Sequence, residues 1–130
     1  MDTLTDDLRT LLDGTHIGHV ATVGPDGAPH SVPVWVGTDG DHVVFLTGPH
    51  SVKARNLDHD GRLALSLVDA QNPFRMAYLR GHVAERVTGD AAWAIIDRIS
   101  TKYVGAPYPR EEERVVYRVA VDRARAQAFA

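Results

Sequence analysis

Residues 16–47, HIGHVATVGPDGAPHSVPVWVGTDGDHVVFLT, contain three short apolar segments that are separated by two glycine-containing turns. The segments lie at about 16–24, 29–37 and 42–47. They are rich in valine and threonine, which are typical of strands. The connections PDGA and TDGD place Gly27 and Gly40 where a tight turn needs a positive φ angle. The stretch therefore predicts consecutive antiparallel strands.

The remainder of the chain continues this pattern and adds helices. Further strands are predicted at about 62–69, 75–87, 113–121 and 123–129, and helices at 5–13, 51–58 and 89–104. In the last helix, apolar residues recur at helical spacing and Gly105 ends the pattern. Short connections between so many strands predict one domain over residues 1–130. We expect it to be mainly β with α, with helices packed outside a small antiparallel barrel.

The composition excludes several classes of protein. The 130 residues carry a net charge of −3, so no basic field attracts nucleic acid or an anionic membrane. Cysteine is absent, which removes disulfides, thiolate metal sites and cysteine nucleophiles. The N-terminus is acidic, unlike a signal peptide, and the chain has no apolar run of about 18 residues. We therefore expect a cytoplasmic protein that is not inserted in a membrane.

The histidine pair of the HIGH segment does not favour a metal site. His16 and His19 are three residues apart, and on a strand an odd separation directs side chains to opposite faces. The other histidines are scattered along the chain. We expect no bound metal. Motifs for a phosphate-binding loop or a nucleophilic serine are also absent.

The predicted strand at 29–37 carries no charged side chain on either face. Two sets of residues alternate along it: Val32, Val34 and Val36 on one face, and Ser31, Pro33 and Trp35 on the other. The valine face can meet the barrel core, whereas the other face needs a ligand, a helix or a second subunit to cover it. Pro33 lacks a backbone donor, which favours a sheet edge or a bulge.

The segment TGPHSVKARNL, residues 47–57, holds one of only two lysines in the chain. Gly48 and Pro49 turn the chain, and His50 or Ser51 caps the helix that follows. The first-turn amides and the positive end of the helix dipole favour an anion, and Lys53 adds a mobile charge suited to phosphate. The same residues also fit a routine helix cap followed by a surface lysine.

Four segments together resemble the split-barrel flavin- and deazaflavin-binding proteins, the superfamily that includes pyridoxamine phosphate oxidase. Within it they are most similar to the coenzyme F420-dependent oxidoreductases. The segments are HVATVGPDGAPHSVPVWV, TGPHSVKARNL, NPFRMAYLRGHV, and KYVGAPYP followed by ERVVYRVAV, and they span nearly the whole chain. The resemblance implies a six- to seven-stranded antiparallel split β-barrel with flanking helices. It also implies a homodimer with two cofactor sites at the subunit interface.

The resemblance further implies a set of cofactor-binding residues. Those beneath the flavin-like ring would be Ser31, Pro33, Val34 and Trp35. Those on the phosphate side would be Thr47, Ser51 and Lys53, followed one turn later by Arg55 and Asn56. Those approaching the ring from the partner subunit would be Asn72, Arg75 and Tyr78. No residue is assigned a catalytic role.

The implied function is transfer of a hydride from reduced F420, a deazaflavin, to an unsaturated small organic acceptor. The acceptor's proton would come from water or from a tyrosine, Tyr78, Tyr103 or Tyr108. The alternatives are an oxidoreductase or oxidase of the same fold that uses flavin mononucleotide (FMN), and a non-catalytic protein that binds flavin or haem.

Two departures from the family pattern favour F420 over FMN. The phosphate turn reads SVK where FMN-binding members often have Ser-Arg-Lys, and the preceding strand lacks their arginine. We therefore expect Lys53 to be the single cation beside the phosphate. Lys102, the other lysine, is expected to take no part in binding.

Overall fold

The computed structural model describes residues 3–128, which form three helices and seven strands. The helices are α1 (Asp6–Asp13), α2 (Val52–His59) and α3 (Gly89–Val104). The strands are β1 (Gly18–Val23), β2 (Pro29–Val34), β3 (Val36–Asp39), β4 (His42–Thr47), β5 (Arg62–Asp69), β6 (Asn72–Val87) and β7 (Val115–Ala128). They make one sheet in the order β2-β1-β5-β6-β7-β4-β3, and every pairing is antiparallel.

The two edge strands of this sheet, β2 and β3, are separated in the chain by Trp35 alone. In a flat sheet, six strand spacings of ~4.8 Å would place them about 29 Å apart, whereas Cα atoms two residues apart are separated by at most ~7 Å. The sheet must therefore curl until its edges meet at Trp35. This geometry confirms the predicted antiparallel split barrel with flanking helices.

Two predicted strand boundaries are wrong, for opposite reasons. The segment 29–37 is not one strand, because the chain crosses between sheet edges at Trp35 and pairs with β1 before it and with β4 after it. The segments 113–121 and 123–129 are not two strands, because β7 runs through both. Its pairing with β6 shifts at Asp122, where one extra residue bends the strand without ending it.

The barrel core confirms the face that the valine pattern predicted. Val34 and Val36 are buried and Val32 packs against them at the edge of the same cluster. Deeper in the barrel, the rings of Phe45 and Tyr117 stack with centroids 5.6 Å apart. Burying each such side chain contributes about 1.5–3 kcal/mol. A second apolar cluster joins α3 to the outer side of β4 and β7.

The caps of the helices follow the sequence. In α2 the cap is Ser51, whose Oγ accepts a hydrogen bond from the Ala54 amide at 3.1 Å. The C-cap of α3 is Gly105, whose φ of 76° lies in the left-handed region that glycine adopts without strain. Within residues 3–128, no helix has the length and apolar character needed to cross a membrane.

The two histidines of the HIGH segment lie apart in the fold. His16 is buried just before β1, where its Nδ1 accepts a hydrogen bond from the Ala70 amide at 2.9 Å. His19 is exposed on β1. In the described part of the chain, no group of three or more histidine, aspartate or glutamate side chains is arranged to hold a metal ion.

Lys102 has a structural role that its sequence context did not indicate. Its ammonium donates hydrogen bonds to the carbonyl oxygens of Leu12, at 3.1 Å, and Val36, and lies 4.4 Å from the ring centroid of Tyr103. Burial lowers the pKa of Lys102 to about 8. Because Lys102 joins α3 to the end of α1 and to β3, its replacement perturbs the fold, and it is unsuitable as a neutral control.

Candidate functional site

A groove of about 710 Å³ opens where the sheet edges meet, between Trp35, the end of β4 and the start of α2. Six of the twelve predicted cofactor-binding residues line it: Pro33, Val34, Trp35, Thr47, Ser51 and Lys53. These residues come from two separate parts of the chain, 33–35 and 47–53, so the fold brings the predicted ring and phosphate positions into one cavity.

One end of the groove is the turn between β4 and α2, where the sequence predicted the phosphate, and it is called the phosphate end below. The Ser51 amide donates to the Gly48 carbonyl oxygen at 3.2 Å, which closes the turn. The hydroxyls of Thr47 and Ser51 share a hydrogen bond of 2.8 Å. Of the amides in the first turn of α2, the Ser51 hydroxyl accepts only that of Ala54, so the amides of Val52 and Lys53 lack an intrahelical acceptor, as the first amides of any helix do. This end is therefore rich in donors.

Two cations share that end of the groove, where the sequence predicted one. Arg114, in the loop before β7, lines the groove together with Lys53. Its Nη1 lies 3.8 Å from the position that a Cβ on Gly48 would occupy, so the guanidinium reaches the turn itself. Burial, and to a smaller extent the positive charge of Arg114, lower the pKa of Lys53. The expectation that Lys53 is the single cation at this end is therefore wrong, because Arg114 is a second one.

Sequence reasoning missed Arg114 because it follows a run of charges. The segment REEE at 110–113 has the charge run that is typical of a solvated loop. Arg114 is instead held against the groove: its Nη1 donates to the Glu112 carboxylate at 3.2 Å and to the Glu113 carbonyl oxygen at 2.8 Å. No local pattern distinguishes this arginine from the other eleven, since only the return of the chain toward β4 brings it to the site.

The other end of the groove, where the sequence predicted the flavin-like ring, is called the ring end below, and it is an aromatic wall. Trp35 stacks on Tyr103 with ring centroids 5.2 Å apart and planes 9° from parallel, and Tyr108 meets it edge-on at 6.2 Å. The Tyr103 hydroxyl donates to the His16 carbonyl oxygen at 2.6 Å and accepts from the Val36 amide at 3.2 Å. Tyr103 thus holds Trp35 in place, whereas Tyr108 lines the groove directly.

Three predicted residues near these segments do not line the groove. Ser31 is exposed on β2, and Arg55 is exposed on α2. Asn56 is buried, and its Nδ2 donates to the Thr22 hydroxyl at 3.1 Å, which ties α2 to β1. The geometry gives Asn56 a structural role within its own subunit.

The three residues predicted to act across a subunit interface lie on β6, away from the groove. Asn72 accepts a hydrogen bond from the Phe74 amide at 3.0 Å, and the Arg75 guanidinium is 3.6 Å from the Asp69 carboxylate. Tyr78 is 44% exposed. None of them lines the groove of its own chain. A role of these three residues in binding a cofactor through a second copy of the chain stays a prediction.

Comparisons with known proteins agree with this geometry. A family model described as pyridoxamine 5'-phosphate oxidase matches residues 4–128. A solved structure named F420 reductase is 29% identical, covers 94% of this chain and 98% of its own, and superposes with a TM-score of 0.81. The conserved hypothetical protein Rv2991 from Mycobacterium tuberculosis is 25% identical over 97% of this chain and 86% of its own, with a TM-score of 0.80.

A more distant structure supports the fold alone. HupZ from Group A Streptococcus is 19% identical, covers 98% of this chain and 99% of its own, and has a TM-score of 0.72. A search of curated proteins found no match. The family model covers all but the ends of the chain, and the strand order and groove agree with the split barrel that the sequence predicted. The chain therefore belongs to the pyridoxamine 5'-phosphate oxidase family.

Proposed function

We propose that this protein is an oxidoreductase that transfers a hydride from reduced coenzyme F420 to an unsaturated small organic acceptor. The observation that carries the proposal of an oxidoreductase with a phosphate-bearing ring cofactor is the groove, which combines a donor-rich end with an uncharged aromatic wall. The similarity to a structure named F420 reductase, over nearly the full length of both chains, supports the deazaflavin.

The donors at the phosphate end fit a phosphate-bearing cofactor. The two hydroxyls of Thr47 and Ser51, the first amides of α2 and the ammonium of Lys53 are all suited to an anion. The side chains of Pro33, Val34 and Trp35 are uncharged, so a ring laid against them would meet no charge. A planar ring with a phosphate on its side chain would therefore meet complementary surfaces at both ends.

The protein's part in the reaction is to bind, orient and exclude water. When bound, reduced deazaflavin supplies the hydride, and the residues of the groove position it. The stack of Trp35 on Tyr103 keeps the wall rigid. Backbone amides between Ser31 and Trp35, except at Pro33, which has none, would stabilise negative charge on the oxidised ring. The hydroxyl of Tyr103 is bonded to backbone at two positions, so of the tyrosines proposed as proton donors, Tyr108 lies better placed.

FMN is the second candidate cofactor, and one observation favours it. With Lys53 as the single cation, the charge of the groove would disfavour FMN, but Arg114 provides a second cation beside Lys53. Two cations suit the dianionic phosphate that ends FMN, whereas F420 carries a singly charged phosphodiester. The charge of the groove therefore does not separate the two cofactors, and the proposal of F420 depends on the similarity to the F420 reductase structure.

We also propose that the protein is a homodimer whose second subunit covers the groove. Exposed apolar side chains on the outer face, including Val68, Phe74 and Tyr78, would then be buried against the partner. Light scattering at micromolar concentration should give about twice the chain mass of 14.2 kDa. A monomer that still binds cofactor tightly would contradict this proposal.

Fluorescence titration of the apoprotein tests the choice of cofactor. We expect tighter binding of F420 than of FMN, and oxidation of bound reduced F420 when an enone or quinone is added in a single-turnover experiment. Tighter binding of FMN, or its recovery with protein purified from a host that lacks F420, would replace the first proposal with the second. Binding of haem in preference to both would indicate a non-catalytic role.

A further inference from the structure

The ion pair between Arg114 and Glu112 is asymmetric. The Arg114 side chain is 22% exposed and is held by two further contacts, with the Glu113 carbonyl oxygen at 2.8 Å and the Tyr108 hydroxyl at 3.5 Å. The Glu112 side chain is 74% exposed and its contact with Arg114 is 3.2 Å long. The guanidinium is therefore fixed in the groove, whereas the carboxylate can turn away into solvent.

The position of Arg114 places it against the same turn as Lys53. Its Nη1 approaches Gly48, and both cations line the phosphate end of the groove with Glu112 at the rim. Without an anion between them, two like charges repel each other. The Glu112 carboxylate offsets part of that repulsion, and an incoming phosphate would do the same from inside the groove.

We infer that Arg114 is a second phosphate-binding residue and that Glu112 is its exchangeable counterion, which the phosphate of the ligand displaces. The inference rests on the proposed function only in taking the groove as the site of a phosphate-bearing cofactor. It holds for F420 and FMN alike. Arg114 supplies donors on one planar group, and Lys53 supplies a mobile charge at the same end of the groove.

If phosphate takes the place of the Glu112 carboxylate beside Arg114, replacing Arg114 and replacing Glu112 should change phosphate affinity in opposite directions. Removing the guanidinium removes a charge-assisted hydrogen bond to phosphate, so Arg114→Gln should weaken phosphate binding about tenfold. Removing the carboxylate removes a competitor, so Glu112→Gln should strengthen binding about threefold, the scale of an exposed ion pair.

The test uses inorganic phosphate as the probe, with binding to the ligand-free protein followed by NMR through the backbone amides of Val52, Lys53 and Ala54. Two matched controls remove the same charges outside the groove. Glu111→Gln changes a neighbouring exposed carboxylate, and Arg62→Gln changes an exposed guanidinium that pairs with Asp60. Both controls should leave phosphate affinity within about twofold of the native protein, since exposed charges outside the groove are screened.

Several outcomes would overturn the inference: no phosphate binding by the native protein, equal gains from Glu112→Gln and Glu111→Gln, weaker binding in Glu112→Gln, or an unchanged affinity in Arg114→Gln. If Arg114→Gln does not fold, the exposed Glu112 variant still decides. Failure of F420 and FMN to bind, with the phosphate effects intact, would overturn the proposed function alone. Cofactor binding without the phosphate effects would overturn this inference alone.

Discussion

Replacement of Lys53 by alanine should weaken cofactor binding by about 1.5–3 kcal/mol, roughly 10- to 150-fold, the range for a charge-assisted hydrogen bond. Lys53 lines the phosphate end of the groove at the start of α2, where its ammonium adds to the unpaired amides of the helix. The side chain makes no hydrogen bond or ion pair within residues 3–128 at normal contact distances. Folding stability should therefore change little, and fluorescence titration with thermal unfolding separates the two effects.

The same lysine should make binding sensitive to alkaline pH. Burial and the neighbouring Arg114 hold the pKa of Lys53 below its usual value, so the free protein loses this charge at lower pH than an ordinary lysine. Bound phosphate favours the charged form, so affinity should fall as pH rises through that pKa. In Lys53→Ala this part of the pH dependence should disappear.

The control for Lys53 is chosen from the same helix. Arg55→Ala removes an exposed cation two residues further on, outside the groove, and should cost at most about 1 kcal/mol of binding energy. Lys53→Arg should recover part of the affinity, because it restores the charge but imposes a planar group. Equal losses from Lys53→Ala and Arg55→Ala would mean that Lys53 is an ordinary surface lysine.

Gly81→Ala should lower the free energy of unfolding by about 3 kcal/mol, the upper range for overpacking in a closely packed site. Gly81 lies in the middle of β6, where the pairing with β7 changes register. A Cβ there would lie 2.5 Å from the Ala120 carbonyl oxygen and 2.8 Å from Cγ1 of Val119. Because the closer of these atoms belongs to the backbone of β7, the strand itself must move to admit a methyl group.

Gly61→Ala is the matched control for Gly81, and urea denaturation measures both. A Cβ at Gly61 would meet its nearest neighbours, atoms of Val83, at 3.8 Å, which is ordinary van der Waals contact. The control should therefore change stability by less than about 1 kcal/mol. Similar losses in the two variants would contradict the argument from the close approach of β7.

Periodicity predicted most elements because each depends on residues near one another in the chain. The alternation of Val32, Val34 and Val36 predicted a core face, and this is confirmed because Val34 and Val36 are buried and Val32 packs against the same cluster. The helix at 89–104 was predicted with its observed bounds, since apolar spacing and Gly105 mark it locally. The boundaries at Trp35 and Asp122 were missed because pairing partners, not local preference, decide where a strand ends or bends.

In the candidate site, too, the residues of a local motif could be predicted from the sequence, whereas contacts with another subunit could not be settled. Thr47, Ser51 and Lys53 belong to one local motif, a strand end followed by a helix cap, and the structure places all three in the groove. Whether Asn72, Arg75 and Tyr78 contact the cofactor of a second subunit stays a prediction, since the residues lie outside the groove of their own chain.

By itself, the sequence determined most of the strands, the helix caps and the donor-rich turn, because hydrophobic alternation and capping act over a few residues. Only the tertiary structure decided that the sheet closes at Trp35, that Lys102 bridges backbone carbonyls, and that Arg114 joins Lys53. Each of these contacts joins residues more than sixty positions apart or strands at opposite edges of the sheet. Their charge and packing energies depend on the distance between the groups in space, and these groups come close together only when the sheet curls into the barrel.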